Sequence, residues 1–116
     1  MKLVRDKLPE IIASNGRGEI PRWHRIEDDQ EFRGELLAKL LEEVREVMGA
    51  TTPEARRNEC ADVAEVMIAL LALQGVTRRQ FMRVLRDRRQ ERGGFEGRIF
   101  LEKVDPPPSS EPLFAK

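Results

Sequence analysis

Residues 39–73 read KLLEEVREVMGATTPEARRNECADVAEVMIALLAL, and two helices follow from them. In the first half, Leu40, Leu41, Val44, Val47 and Met48 recur at helical spacing; with Phe32, Leu36 and Leu37 upstream they make a broad apolar face. The pattern starts this helix near Asp29, with Asp28 or Asp29 as N-cap, and Gly49 stops it. The turn Ala50-Thr51-Thr52-Pro53 follows, where Thr51 with Glu54 reads as a capping box. The next helix runs from Pro53 to Leu73 and is closed by Gly75. Its second half, from Val63 to Leu73, is apolar nearly all round, which predicts a central place in a bundle or cover from another subunit. A connection this short makes the two helices antiparallel neighbours.

Upstream, Leu8, Ile11 and Ile12 predict a short helix over Arg5 to Ser14, with Pro9 in its first turn and Asn15-Gly16 at its end. Residues Gly16 to Glu27 read as loop, with a short extended piece over Glu19 to Ile26 that Pro21 keeps at an edge. Downstream, Thr77 and Gln80 make a second capping box and open a helix whose apolar stripe is Phe81, Val84 and Leu85, ending near Arg92 at Gly93-Gly94. Arg98 to Val104 alternates weakly and predicts a short strand. Asp105 to Lys116, with Pro106-Pro107-Pro108, predicts a mobile tail. The expectation is therefore an all-α helical bundle of about four helices with small β additions, completed by oligomerisation: one domain over 1–104 and a tail over 105–116.

Composition narrows the function. A length of 116 residues means one domain, and 40% apolar content excludes a disordered chain. Aromatics at 5%, with no Tyr, favour helix over sheet. Lys plus Arg equals Asp plus Glu at 21 each, so overall charge gives no case for nucleic acid or an anionic membrane as partner. The single His24 excludes a His-rich zinc site. The single Cys60 cannot form an internal disulfide and no secretion signal opens the chain, so the cytoplasm is the expected compartment. The longest apolar run, Val66 to Leu73, is too short to span a bilayer.

The chemistry sits on the two central helices. Glu43 and Glu46 are three apart and share a face; Glu59 and Asp62 repeat the spacing on the next helix. Antiparallel packing lets the pairs face each other, where four carboxylates repel unless a cation neutralises them. Hard divalent cations prefer oxygen, and Mg²⁺ suits carboxylates combined with substrate phosphates. Asp62 is the sharpest anomaly: among Cys60, Ala61, Val63 and Ala64 it is a poor helix former that is costly to bury unpaired. The plainer reading is a solvated Glu-rich face, with Lys39 pairing to Glu43 at i, i+4; spacing alone weighs the two about evenly. Glu65 is either a supporting group or a solvent-facing one.

The pattern Glu43-x-x-Glu46 followed by Glu59-x-x-Asp62, within KLLEEVREV and NECADVAEVMIALLAL, resembles the MazG-like all-α NTP pyrophosphohydrolase superfamily. The opening KLVRDKLPEII and the later RGGFEGRIFLEK resemble its house-cleaning branch. The resemblance implies a Mg²⁺ site at Glu43, Glu46, Glu59 and Asp62, with Mn²⁺ as substitute. It also implies hydrolysis of a nucleoside triphosphate between the α and β phosphates, giving NMP and pyrophosphate. Glu42 is the candidate for the base that activates water, a solvated helix Glu being the plain alternative. Such proteins form homodimers or larger assemblies.

Candidate substrate-binding groups are Lys39, Lys7, Arg89, Arg92 and Trp23, and Arg5 at the start of the chain also approaches a phosphate on this reading. Asp87-x-Arg89-x-x-Arg92 loosely resembles an N-x-K-x-x-R element of MazG proteins, with departures at Asp87 and Arg89. A solvated basic face accounts equally for most arginines of the last helix, and Trp23 reads as well as a packing residue as a stacking one. Two rivals stand beside the main reading: phosphoribosyl-ATP pyrophosphohydrolase within the superfamily, and a non-catalytic helical module that binds nucleic acid.

Overall fold

The computed structural model describes residues 1–108, which form helices α1 (Leu8–Ala13), α2 (Asp29–Gly49), α3 (Pro53–Ala72) and α4 (Arg78–Arg92). The last part of the expected tail, 109–116, lies outside the described residues. Each long helix begins at a side-chain cap. The Asp28 carboxylate accepts from the Glu31 N–H at 2.8 Å. Thr52 Oγ1 accepts from Ala55 N–H at 3.0 Å. Thr77 Oγ1 accepts from Gln80 N–H at 3.1 Å while the Gln80 side chain accepts from Thr77 N–H at 2.8 Å, so the expected box at α4 forms.

Some boundaries differ from expectation for local reasons. The α3 cap is Thr52 rather than Thr51, because Pro53 takes the first helical position and fixes the cap one residue before it. Glu54 then falls one residue short of the position a capping box needs. Helix α1 starts at Leu8 rather than Arg5, since Pro9 belongs in a first turn. Gly75 (φ +76°) and Gly93 (φ +81°) turn the chain out of α3 and α4 in the left-handed region that glycine tolerates.

No strand forms among the described residues, so the small β additions are not part of this fold. The sequence from Arg98 is diverted by a turn in which its N–H donates to the Phe95 carbonyl at 3.0 Å, with Arg98 at φ +53°. Beyond it Ile99 and Phe100 are each 90% exposed, and the loop over Glu19 to Ile26 likewise finds no partner strand.

The chain organises around the α2–α3 hairpin, whose helices pack along one another, while α4 meets only α3 and α1 packs on no other helix. Leu36 from α2 and Val66 from α3 are the buried apolar residues, at 3% and 7% exposure. Much of the expected apolar face of α2 is left open, with Leu37, Leu41 and Met48 exposed, because a two-helix hairpin covers one side of each helix only. The Cα radius of gyration is 22.2 Å, where a compact domain of this length has about 13 Å. None of the helices among the described residues is long and apolar enough to cross a membrane.

With so few buried side chains, Leu36 holds a large share of the hairpin. Leu36→Ala is expected to lower the unfolding free energy by about 2–5 kcal/mol. Urea denaturation measures it; a loss below about 0.5 kcal/mol, the range of an ordinary surface change, would contradict this packing.

Candidate functional site

Helix pairing places Glu43 of α2 opposite Glu59 and Asp62 of α3. One carboxylate oxygen from each of Glu43, Glu59 and Asp62 lies within 4.8 Å of the other two. Glu43 is the only buried charged side chain among the described residues, at 8% exposure; Glu59 and Asp62 are half-buried. Glu46, one turn further along α2, is exposed and stands outside this tight group, yet its charge is felt at Glu59.

Lys39 is the local counter-ion. Its ammonium reaches Glu42 at 3.2 Å and Glu43 at 3.3 Å, at i, i+3 and i, i+4 along α2. Partial burial works against its charge, but the hydrogen bonds to Glu42 and Glu43 outweigh that and raise its pKa. Glu42 moves the other way: its hydrogen bond from Lys39 comes first and lowers its pKa against the effect of burial, with Lys2 adding to the lowering at 3.4 Å. Glu42 is therefore firmly ionised. Asp62 has one basic neighbour, Arg5 at 3.9 Å.

Glu59 has no basic group within ion-pair distance among the described residues. Its pKa is raised, first by partial burial, then by a hydrogen bond with Glu43 and by the charges of Glu43, Asp62 and Glu46. Lys39 gives Glu43's burial a structural explanation; among the described residues no group does the same for Glu59.

The donor set fits a hard divalent cation. Carboxylate oxygens around Mg²⁺ at about 2.1 Å lie at most about 4.2 Å apart. The oxygens here lie within 4.8 Å of one another, so small side-chain rotations bring them to that spacing. All three groups offer oxygen only, from two helices that can adjust their side chains independently.

The other candidates stand apart from this cluster. Arg89 donates to Glu96 at 2.7 Å, and Arg92 lines an open trough at the end of α4 with Arg88 and Phe95. No contact ties either arginine to the carboxylates: α4 touches the hairpin only through α3, where Arg78 pairs with Glu65 at 3.6 Å. Trp23 is 57% exposed, with the Arg25 guanidinium 5.0 Å above its ring. Lys7 is exposed at the N-cap of α1. An apolar groove along α3, lined by Leu37, Met67, Leu70 and Phe81, contains none of the carboxylates. Lys2 is the residue at this cluster that sequence reading passes over. Its pairing with Glu42 spans forty positions, and no local spacing announces it.

Residues 17–89 match the family model described as phosphoribosyl-ATP pyrophosphohydrolase. No curated protein and no solved structure matches the chain significantly. The matched stretch takes in α2, α3 and most of α4 and is well over half of the 116 residues. The chain belongs to the phosphoribosyl-ATP pyrophosphohydrolase family, within the MazG-like all-α superfamily of enzymes that hydrolyse phosphoric anhydrides.

The raised pKa of Glu59 has a consequence for stability. A carboxyl raised on folding contributes stability that is fully present below its unfolded pKa and lost as pH rises through its folded pKa. At neutral pH, without metal, ionised Glu59 therefore opposes folding. Glu59→Gln is expected to raise the Tm in EDTA at pH 7, with the gain shrinking as pH falls toward the usual carboxylate range. A Tm equal to or below wild type at pH 7 would show that the carboxylates do not repel as described.

Proposed function

We propose that this protein is a Mg²⁺-dependent pyrophosphohydrolase. It hydrolyses the α–β anhydride of a phosphoribosyl-ATP-type nucleotide to the monophosphate and pyrophosphate. The observation that carries this is the convergence of Glu43, Glu59 and Asp62 at the hairpin interface, with no basic group within ion-pair distance of Glu59 among the described residues. Family membership supports the reaction class and favours the phosphoribosyl-ATP substrate.

A second reading, a broader or non-standard nucleoside triphosphate, is favoured by a different observation. KLVRDKLPEII over residues 2–12 and RGGFEGRIFLEK over residues 92–103 resemble the house-cleaning branch, and both lie outside the matched residues.

Glu43, Glu59 and Asp62, with Glu46 as the fourth, are the proposed metal ligands. A divalent cation there supplies charge neutralisation for the phosphate chain and a place for an aligned water. Glu42, ionised and beside the ligands, is proposed to accept the proton of the attacking water; its lowered pKa keeps it ready but makes it a mild base. Water adds at phosphorus, the bridging P–O bond breaks, and its electron pair leaves with the departing phosphate fragment. Lys39 holds Glu42 and Glu43 in place through the pairs described above. Lys7, Arg89, Arg92 and Trp23 stay candidates for substrate contact only if substrate or a second copy brings them to the cluster.

We also propose that the working form is a homodimer or larger assembly. The open apolar faces of α2 and α4 and the large radius of gyration leave a single copy with little core.

The deciding assay measures pyrophosphate release from phosphoribosyl-ATP and from a panel of ordinary and modified NTPs. The expected result is monophosphate plus pyrophosphate, abolished by EDTA. Full activity in EDTA, or orthophosphate as the sole phosphate product, would overturn the reading, and the preferred substrate separates the two versions. Glu42→Gln is expected to lower kcat by about 10²–10⁴-fold with Mg²⁺ binding kept; an unchanged kcat removes Glu42 from the chemistry. Light scattering is expected to give at least a dimer mass, and a monomer at micromolar concentration would refute the assembly.

A further inference from the structure

The first five residues lie across the carboxylate cluster. Lys2 reaches Glu42 of α2 and Arg5 reaches Asp62 of α3, so two cations three positions apart bridge the two sides of the hairpin. Between them Leu3 and Val4 are half-buried. Helix α1 packs on no other helix, so this short strap holds the N-terminal segment at the site.

Neither cation is firmly committed. The Arg5 guanidinium stands 3.9 Å from Asp62, beyond hydrogen-bond range, and makes no other side-chain bond among the described residues. Lys2 approaches Glu42 at 3.4 Å, a long contact, and Glu42 already has Lys39 closer. Both strap side chains are more than half exposed. Exposed ion pairs of this kind add little stability and are released at small cost. Guanidinium and ammonium groups make stronger bonds to phosphate, the guanidinium through two parallel N–H donors.

We propose that the strap is a phosphate-binding element: Arg5 and Lys2 exchange Asp62 and Glu42 for the substrate's phosphate chain when a divalent cation occupies the carboxylates. This rests on the metal-dependent reading above. The exchange follows from charge. In the metal-free protein, the strap cations partly offset the carboxylates. A divalent cation takes over that task and repels them, while an arriving polyphosphate offers a new anionic partner beside the same site. The strap lies wholly outside the matched residues 17–89.

The test uses the full chain and two titrations by calorimetry: Mg²⁺ alone, then inorganic pyrophosphate in saturating Mg²⁺. Pyrophosphate is the product common to both substrate readings. For Arg5→Ala and Lys2→Ala, pyrophosphate affinity is expected to fall about tenfold each, while affinity for Mg²⁺ alone stays equal or rises because a competing cation is gone. Arg5→Lys is expected to recover part of the loss. Melting in EDTA should stay close to wild type, since both side chains are exposed.

If both affinities are unchanged, the strap does not meet phosphate and the proposal is overturned. If both fall together, the strap merely supports the carboxylates, which overturns it equally. Both outcomes leave wild-type metal and pyrophosphate binding intact, and so spare the proposed function. Wild type that binds no Mg²⁺ fails at the earlier step and removes both.

Discussion

The α2–α3 hairpin holds one carboxylate oxygen from each of Glu43, Glu59 and Asp62 within 4.8 Å of the others, and carboxylates that close repel unless a proton or a cation lies between them. The rest of the molecule is organised around this demand. Leu36 and Val66 clamp the helices together, so the carboxylates cannot simply drift apart. Thr52 and Pro53 fix where α3 begins and hence which of its residues face α2. A hairpin held by so small a core could shed the repulsion by replacing one Glu with an apolar residue. The three carboxylates cost the empty fold stability, a cost that the proposed cation would offset by binding the native state.

The same small core explains why the chain looks incomplete alone. Val63 to Leu73 in α3 are mostly half-covered rather than sealed, and α4 departs from the hairpin with Met82, Val84 and Leu85 exposed. A capped helix with an open apolar stripe is a poor end state in water, since the cap organises the helix but does not bury its face. The proposed assembly resolves this. It also offers a route by which arginines of α4, remote from the carboxylates within one copy, come near those of another.

What the sequence makes legible is local. Asp28, Thr77 with Gln80, Gly75 and Gly93 are boundary signals acting within a few residues, and the helices start and stop where they say. Thr51 misleads because two adjacent threonines offer the same hydroxyl; the proline after the second decides between them. The strand expected over Arg98 to Val104 fails for a non-local reason: alternation states a preference, but a strand needs a neighbour. The i, i+3 spacings place Glu43, Glu59 and Asp62 together because helix geometry and a short turn leave little freedom. Lys2 and Arg5 meet the cluster through tertiary contacts alone.

The positive charge around the cluster is distributed unevenly. Lys39 arises on α2 itself, at the two spacings that let one ammonium serve both Glu42 and Glu43, and this arrangement persists wherever the helix persists. Helix α3 has no such residue. Asp62 depends on a guanidinium delivered by the strap at 3.9 Å, and Glu59 depends on nothing in the described chain. The electrostatic deficit of the site therefore lies on the α3 side. A basic residue one turn from Glu59 would have removed it: Arg56 is three positions away, but its guanidinium donates to the Ala50 carbonyl at 2.7 Å and ties the turn between the helices instead. An available cation is thus used to hold the hairpin closed while the neighbouring carboxylate is left without one, which is the arrangement expected if the missing charge is to come from outside the chain.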